Sequence, residues 1–343
     1  MNLADYSKRA CKAIDAEVVK RLESFNSETP YPQITYLLNQ FISASEGGKR
    51  LRGILVKMGY ELGSKGKQNK EIFLPAAAFE IFHTAILAQD DIIDKSILRR
   101  GKSTLYKALG GDHHAISQTI CLSDLGFFIS NQLIIDSHFP DNLKNKALQI
   151  FNNTMLETVV GEMLDIELPL TKLSVNEEDI LSVYRLKTAR YTFVGPLQVG
   201  AILAKADKKT LKAIEIFGES LGIAFQIQDD ILGVFGDEIE LGKSVVSDIE
   251  EGKMTLLYLH AYKRADKAQK EYLDMYYGTS KIDQSILDNI RRIFIDTKSL
   301  EYAKIQSEKY TSVAYDQIVK MTSDKTMRGL LKQLAAFLLN RTK

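Results

Sequence analysis

Apolar side chains recur with the 3.6-residue period of an α-helix along almost the whole chain, and this pattern constrains the fold more than any other feature. Alternating apolar and polar runs, which would predict strands, are not evident in the sequence. Pro196 falls inside one long helical pattern and is expected to kink it, because proline cannot donate a backbone hydrogen bond. The periodic segments predict helices near residues 3–25, 33–44, 48–62, 72–95, 114–137, 142–168, 177–205, 208–235, 254–264, 283–295, 299–321 and 326–341.

The sequence contains no Ser/Gly-rich linker and no shift in composition that would mark a domain boundary. Its 343 residues, 45% of them hydrophobic, are sufficient for one large core. We therefore predict an all-α protein with a single domain over residues 1–343.

Charge and cysteine content argue against several classes of protein. Lysine plus arginine (45) nearly balance aspartate plus glutamate (44), whereas nucleic-acid binding needs a basic excess. The two cysteines, Cys11 and Cys121, predict neither a disulfide scaffold nor a zinc site. No signal peptide is visible, and charges interrupt the apolar stretches before they reach the length of a membrane span. We expect a soluble cytoplasmic protein that is not an integral membrane protein.

Residues 76–93 and 213–235, which lie within two of the predicted helices, are apolar nearly all round, which is typical of buried helices. Each carries acidic residues near its C-terminal end, where the helix dipole and partial burial both disfavour negative charge. Such clusters therefore need cations, and carboxylate oxygens suit Mg²⁺, especially when substrate phosphates complete its coordination shell. A solvated acidic helix end paired with Arg99 and Arg100 is the alternative, but the pattern occurs twice. The candidate metal ligands are Asp90, Asp91, Asp94, Asp229 and Asp230.

Basic residues beside glycines accompany both acidic clusters. Glycine lets a backbone approach a phosphate closely, and lysine and arginine bind phosphate oxygens. Each motif alone is a weak signal, because runs of lysine and arginine are usually solvated. Together they predict a site that binds diphosphates partly through a metal and partly directly. The motifs are Gly-Gly-Lys-Arg-Leu-Arg at 47–52, Arg-Arg-Gly at 99–101, Lys-Thr at 187–188, Gly-Lys at 242–243 and Gly-Lys at 252–253.

In order and spacing these motifs resemble those of the trans-prenyl diphosphate synthases, the family of farnesyl and geranylgeranyl diphosphate synthases. The likeness extends over residues 40–260 and includes His83, seven residues before Asp90, and Phe-Gln-Ile-Gln-Asp-Asp-Ile-Leu-Gly at 225–233. It implies a bundle of long helices around a central cavity and a homodimer. It also implies Mg²⁺-dependent, head-to-tail condensation of isopentenyl diphosphate with dimethylallyl, geranyl or farnesyl diphosphate.

The resemblance also implies roles for the matching residues. Asp90 and Asp94 would hold two Mg²⁺ ions against the allylic diphosphate, and Asp229 would hold a third. Thr188 and Gln226 would place oxygen dipoles beside the developing allylic cation. The residues that would grip the allylic diphosphate are Arg99, Lys187 and Lys253, with Lys243 nearby. Those that would hold isopentenyl diphosphate are Lys49, Arg52, His83 and Arg100. Without the surrounding motif, His83 would be interpreted as a hydrogen-bonded core histidine.

Several positions depart from the commonest form of the family motifs. Gln89 stands where histidine often precedes the aspartates, and the second cluster ends in Gly233, so it has no third carboxylate. Gly53 follows Arg52 where proline is usual, and Glu162 stands where glutamine is usual, so an extra negative charge there could alter diphosphate or metal affinity. Gly126 is also unusual, and we expect it to widen the space that it faces.

The growing prenyl chain should extend from Asp90 back along its helix, so the first bulky side chain would stop elongation. Ala85 lies about 7.5 Å from Asp90 along the axis and is too small, whereas Phe82 lies roughly 12 Å away and could form the floor. Equally, Phe82 could be only a core residue. The expected product is longer than farnesyl diphosphate, with geranylgeranyl diphosphate favoured.

Two other functions remain open at this point. A class I terpene cyclase also uses an aspartate-rich motif with Mg²⁺, but it does not need the second diphosphate pocket suggested by Lys49, Arg52 and Arg100. A non-catalytic synthase subunit would bind and regulate a partner, although intact Asp90 and Asp229 argue against it.

Overall fold

The computed structural model describes residues 2–99, 101–171, 174–237, 245–280 and 282–339. Nearly all regular structure in these ranges is helical, so the all-α prediction is confirmed. The helices are α1 (Leu3–Ser27), α2 (Pro32–Ser45), α3 (Leu51–Gly63), α4 (Phe73–Ile93), α5 (Leu105–Ala108), α6 (His113–Ile135), α7 (Asp141–Glu167), α8 (Glu177–Val183), α9 (Gly195–Leu203), α10 (Lys208–Phe235), α11 (Ser247–Glu250), α12 (Leu256–Arg264), α13 (Lys267–Tyr276), α14 (Gln284–Asp296), α15 (Ser299–Met321) and α16 (Lys325–Leu339).

Shorter elements connect some of these helices. Single 3₁₀ turns span Lys70–Ile72 and Leu168–Thr171, and a π-helical segment spans Tyr184–Val194. Two short strands, β1 (Leu98–Arg99) and β2 (Lys102–Ser103), form an antiparallel hairpin in which Leu98 lies opposite Ser103.

Most predicted helices lie within a few residues of their observed bounds, and capping residues mark where several of them begin. The side chains of Asn2, Asp112 and Asp283 each accept a backbone N–H in the first turn of α1, α6 and α14. The single helix predicted over 177–205 is instead α8, the π-helical segment and α9. The π-helical segment ends two residues before Pro196, which itself lies in α9, and a kink at that proline stays a prediction.

The described residues form two compact units. The first comprises Met1–Asn152, Gly195–Lys212 and Met321–Leu330, and the second comprises Asn153–Val194, Ala213–Lys320 and Leu331–Lys343. A single functional domain over residues 1–343 stays a prediction.

In the first unit, α4 packs against α1, α3 and α6, and α3 packs against α9. The α3–α9 contact requires glycine. A Cβ atom at Gly59 would lie 2.1 Å from the carbonyl oxygen of Leu197, and one at Gly200 would lie 1.9 Å from that of Val56. These backbones approach so closely that no side chain fits between them. The first unit is thereby tightly packed around α4.

The segment Lys70–Ile93, which includes α4, is the single described segment that is long and apolar enough to cross a membrane. However, 67% of its most apolar window is buried inside the protein. Burial against α1, α3 and α6 accounts for its apolar composition, as expected for the core helix of a folded unit.

In the second unit, α10 packs against the π-helical segment. A Cβ atom at Gly222 would lie 2.4 Å from Cα of Ala189, and one at Gly218 would lie 2.9 Å from a methyl group of Val194. A separate core forms where Ile227 and Ile231 of α10 pack with side chains of α12, α13 and α14. The π-helical segment and the middle of α10 are thus held side by side.

Candidate active site

The first acidic cluster lies at the C-terminal end of α4. Asp90 and Asp91 are in its last turn, and the backbone N–H of Asp94, which caps the helix, donates to the carbonyl oxygen of Asp90 at 2.8 Å. The β1–β2 hairpin then brings Arg99 back towards the helix end. Its Nη2 atom lies 3.0 Å from Oδ2 of Asp90, and its Nε atom donates to Oδ1 of Asp91 at 2.7 Å.

The charges in this cluster are coupled. Burial raises the pKa of Asp91, although the hydrogen bond from Arg99 opposes that effect. Burial alone would lower the pKa of Arg99, but the carboxylates of Asp91, Asp90 and Asp94 outweigh it, and the pKa of Arg99 is raised. Arg99 thus stays charged and compensates the acidic helix end, as the sequence required. Arg100, the other expected partner, lies outside the described residues.

The three basic residues of the motif at 47–52 differ in how deeply they are buried. Gly47 and Gly48 have positive φ angles of 75° and 86°, which glycine adopts readily. The side chain of Arg50 is buried: its Nε donates to Asp15 at 2.5 Å, and its Nη2 donates to the carbonyl oxygen of Ser45 at 2.6 Å. Arg50 therefore has a structural environment, whereas the predicted ligands Lys49 and Arg52 are exposed and half-buried, respectively.

The structure explains why glycine replaces the usual proline after Arg52. The backbone N–H of Gly53 donates to Oε1 of Glu80 at 2.8 Å, a hydrogen bond that proline cannot make. A Cβ atom at Gly53 would also lie only 2.8 Å from Cδ1 of Ile14. This departure stabilises the start of α3 and does not remove a predicted ligand-binding group.

His83 is half-buried on α4, almost exactly two helical turns before Asp90. Residues seven apart lie on nearly the same face of a helix, so His83 and Asp90 face in similar directions. Both interpretations of His83, as a diphosphate ligand and as a core histidine, remain predictions.

The second acidic cluster forms two parallel cross-links between the π-helical segment and α10. Tyr184 donates its phenolic hydrogen to Oδ2 of Asp230. Thr188, four residues after Tyr184, donates to Oε1 of Gln226, four residues before Asp230, at 2.7 Å. Nε2 of Gln226 in turn donates to Oδ1 of Asp230 at 2.9 Å. The predicted pair Thr188 and Gln226 is therefore brought into direct contact.

Asp230 is fully buried, and burial raises its pKa to about 8. Hydrogen bonds from Tyr184 and Gln226 act in the opposite direction, and the neighbouring Asp248 and Asp229 carboxylates raise the pKa further. Both oxygens of Asp230 accept hydrogen bonds from protein donors, whereas Asp229 is half-buried. This difference favours Asp229 as the better placed metal ligand, and the role of Asp230 in binding metal stays a prediction.

Lys187 is held between two carboxylates of α7. Its Nζ atom lies 2.8 Å from Oε2 of Glu162 and 2.7 Å from Oδ2 of Asp165. Gly161 makes this arrangement possible, because a Cβ atom there would lie 2.3 Å from the backbone nitrogen of Lys187. The unusual Glu162 therefore adds a second negative charge directly to a predicted diphosphate-binding lysine.

Lys253 follows α11 and is also paired with acidic side chains, Glu251 at 2.9 Å and Asp248 at 3.4 Å. Tyr277 fixes this segment by donating its phenolic hydrogen to the carbonyl oxygen of Lys253 at 2.7 Å. Lys243, which was predicted to lie near the same diphosphate, is outside the described residues.

The two residues expected to limit product length are both buried on α4. The ring of Phe82 packs against those of Phe127 and Phe151, with centroid separations of 4.9 and 5.9 Å. A Cβ atom at Gly126 would lie 2.9 Å from Cβ of Ala85. The expectation that Gly126 widens a space is therefore wrong: it allows α6 to approach α4 closely. The effect of Phe82 and Ala85 on chain length remains a prediction.

The donor set fits Mg²⁺ only if a ligand completes it. Among the residues that the structure describes, no group of three or more His, Cys, Asp or Glu side chains could hold a metal ion alone. Mg²⁺ is usually bound by one or two carboxylates together with waters and substrate phosphates. In the first unit Asp90 and Asp94 are partly exposed, and in the second unit so is Asp229, so each cluster keeps carboxylates accessible for that mode of binding, which stays a prediction.

Sequence reasoning missed Tyr184 and the structural role of Arg50. Tyr184 lies three residues before Lys187, and nothing in its helical pattern distinguishes it from a core tyrosine. Arg50 lies between two predicted ligands in a basic motif, so the sequence alone did not separate a buried cation from exposed ones. Contacts between distant residues, such as Arg50 with Asp15, carry this information.

All-α architecture, with carboxylates ending apolar helices and lysine and arginine paired to them, matches the class that the sequence predicted, a helical diphosphate-binding protein. The family model for polyprenyl synthetase matches residues 34–294, so the chain belongs to the polyprenyl synthetase family. The resemblance noted in the sequence is thereby confirmed.

Curated relatives and solved structures agree with this assignment. A geranylgeranyl diphosphate synthase of Sulfolobus acidocaldarius is 33% identical over 87% of this chain and 88% of the relative. One of Saccharolobus solfataricus is 34% identical over 87% of each chain. The fold is similar to a crystal structure of geranylgeranyl pyrophosphate synthase from Corynebacterium glutamicum complexed with isoprenyl diphosphate and magnesium. That match has a TM-score of 0.91 and 25% identity, and it covers 99% of this chain and 100% of the other.

Proposed function

We propose that this protein is a Mg²⁺-dependent prenyltransferase that condenses isopentenyl diphosphate with allylic diphosphates and forms geranylgeranyl diphosphate. The observation that carries the proposal is the acidic end of α4, where Arg99 is turned back onto Asp90 and Asp91. In a member of the polyprenyl synthetase family, this pairing of carboxylates with a cation supports the proposal that a metal-bound diphosphate is held at this helix end.

The proposed reaction begins with heterolysis of the allylic carbon–oxygen bond. Bound Mg²⁺, three ions in the full proposal, would neutralise negative charge on the departing diphosphate. Arg99, Lys187 and Lys253 bind the same diphosphate and stabilise charge that develops in the transition state. Since each of these cations contacts carboxylates in this structure, diphosphate binding must exchange or share those contacts.

The double bond of isopentenyl diphosphate then attacks the allylic cation, forming the new carbon–carbon bond. Lys49, Arg52, His83 and Arg100 are proposed to hold the isopentenyl diphosphate group, which fixes the double bond for attack. Thr188 and Gln226 are proposed to place their oxygen dipoles by the cation. Loss of a proton, which we assign to the released diphosphate, completes the elongated chain. Excluding water prevents capture of the cation.

The product assignment rests on relatives and on one aromatic cluster. The curated relatives from Sulfolobus acidocaldarius and Saccharolobus solfataricus are geranylgeranyl diphosphate synthases. We propose that Phe82, supported from behind by Phe127 and Phe151, forms the end of the space for the growing chain. Rings packed in this way resist displacement by a further isoprene unit.

Exposed apolar side chains support the proposed homodimer. On α6, Ile120, Phe128 and Ile135 are exposed, and the side chain of Phe128 is 73% accessible. Exposed apolar patches of this kind mark protein–protein contacts in soluble proteins. A second exposed apolar set lies on α7: Leu156, Val159, Val160, Met163 and Ile166. A cytoplasmic location and the absence of nucleic-acid partners complete the proposal.

Chromatography of the products tests the function. Purified protein is incubated with Mg²⁺, isopentenyl diphosphate and a dimethylallyl, geranyl or farnesyl starter. We expect geranylgeranyl diphosphate from each starter, and Asp90→Asn should abolish its formation. A cyclic hydrocarbon would instead support a terpene cyclase, and no elongation from any starter would support a non-catalytic subunit.

A further inference from the structure

The hydrogen bonds between the π-helical segment and α10 form a regular pattern within the second unit. Tyr184 and Thr188, four residues apart, contact Asp230 and Gln226, which are also four apart and run in the opposite direction. Gly222, one turn further back on α10, keeps the two backbones in contact. The lateral hydrogen bond from Gln226 to Asp230 joins the two cross-links.

Tyr184 extends this network to a third segment. Its phenolic oxygen accepts a hydrogen bond from the backbone N–H of Leu256 at 3.2 Å, while its hydrogen is donated to Asp230. The tyrosine side chain is almost completely buried. One hydroxyl group therefore connects the second acidic cluster to the first residue of α12, three residues after Lys253.

The network determines which way the amide of Gln226 points. Because Nε2 donates to Asp230, Oε1 must lie on the opposite side, where it accepts from Thr188. A reversed amide would present N–H groups, which repel a cation, in place of a carbonyl oxygen, which attracts one. The orientation of Gln226 thus depends on the position of Asp230.

We propose that Tyr184 is a positioning residue for prenyl transfer: it fixes Asp230, and Asp230 orients the carbonyl oxygen of Gln226 towards the developing allylic cation. The inference rests on the proposed function, in which Gln226 and Thr188 stabilise that cation. Tyr184 itself does not contact the reacting atoms. Its effect is expected in the transition state, where the cation forms, and not in substrate binding.

The test compares Tyr184→Phe with a matched control, Tyr302→Phe. Each substitution removes one phenolic hydroxyl that donates to an acidic side chain of the second unit, since Tyr302 donates to Glu177 at 2.7 Å. We expect Tyr184→Phe to lower kcat about tenfold, the size expected when an orienting hydrogen bond worth about 1.4 kcal/mol is lost from the transition state. KM for both substrates should stay within about twofold, because ground-state binding is retained. Tyr302→Phe should leave both constants unchanged.

Repeating the Tyr184→Phe substitution in a protein that already carries Gln226→Ala separates positioning of Gln226 from a purely structural effect. In a Gln226→Ala protein there is no amide to orient, so adding Tyr184→Phe should lower kcat no further. Thermal unfolding of each variant confirms that it is folded. If Tyr184→Phe does not fold, Asp230→Asn provides the same test. An asparagine cannot accept from both Tyr184 and Gln226 through separate oxygens, so kcat should fall, and adding Gln226→Ala should lower it no further.

The outcomes distinguish this inference from the proposed function. If the wild-type protein elongates and Tyr184→Phe behaves like Tyr302→Phe, the inference is wrong and the function stands. An equal loss of kcat with and without Gln226 would also overturn it. If the wild-type protein does not elongate any starter, the proposed function fails and the inference fails with it.

Discussion

The close approach of α7 to the π-helical segment, at Gly161 and Lys187, gives a prediction about stability. A methyl group introduced by Gly161→Ala would lie 2.3 Å from the backbone nitrogen of Lys187 and 2.8 Å from its Cα atom. Neither atom can move without shifting the whole π-helical segment. Overpacking costs about 3 kcal/mol at the upper end of its usual range, and the better helix propensity of alanine returns about 1 kcal/mol. We expect a net loss of about 2 kcal/mol.

Gly329→Ala is the matched control. Gly329 also lies in a helix, α16, but a Cβ atom there meets nothing within 4 Å. The control should therefore gain about 0.5–1 kcal/mol from helix propensity alone. Urea unfolding should separate the two variants by about 3 kcal/mol. Equal stabilities would refute the close approach of α7 to Lys187. A stable Gly161→Ala protein with full activity would show that Lys187 does not need this contact.

Three further predictions concern chemistry. Glu162→Gln removes one of the two carboxylates that contact Lys187, so KM for the allylic diphosphate should fall about fivefold, equivalent to about 1 kcal/mol; an unchanged or higher KM would contradict this. Phe82→Ala should lengthen the product, read by chromatography, and an unchanged length would leave Phe82 as a core residue only. In EDTA, the folded-state pKa of Asp230, about 8, exceeds its ordinary value of 3.8, so its contribution to stability is complete below about pH 4 and is lost as pH rises through 8. Asp230→Asn should make the free energy of unfolding depend less on pH across that interval. An unchanged dependence on pH would contradict the raised pKa of Asp230.

The sequence predicted most of the helices because their signals are local. The apolar period and the loop-forming residues act within a few positions, so α4 and α10 were placed with their acidic ends. The sequence offered the pairing of Arg99 with the first acidic cluster only within the alternative interpretation, a solvated acidic helix end, and this contact too joins residues that lie a few positions apart. Local spacing was sufficient for these features.

Other features depend on contacts that no local pattern encodes. The environment of Arg50 is set by Asp15 and Glu80, each about 30 residues away. Gly126 was expected to widen a space, but it allows two helices to approach closely, because its neighbour is Ala85. The sequence does not show which residue Gly126 faces. The π-helical segment likewise falls within a helical pattern that looks continuous. Such contacts decide whether a charged or small residue serves packing or binding.

The proposed mechanism requires a metal ion that is held by carboxylates. Asp94→Asn removes one of the partly exposed carboxylates of the first cluster, and Asp136→Asn is a control at the end of α6. Asp94→Asn should lower prenyl transfer activity, and raising the Mg²⁺ concentration should restore part of it. A higher metal concentration compensates for a weaker set of metal ligands.

The most direct measurement is the incorporation of labelled isopentenyl diphosphate into a farnesyl starter, with Mg²⁺ and then with excess EDTA. We predict geranylgeranyl diphosphate with Mg²⁺, none in EDTA, and full recovery when Mg²⁺ is restored. The Asp136→Asn control should behave as the wild-type protein does. Incorporation that persists in EDTA, or none in the presence of Mg²⁺, would contradict the claim that this chain is a metal-dependent prenyltransferase.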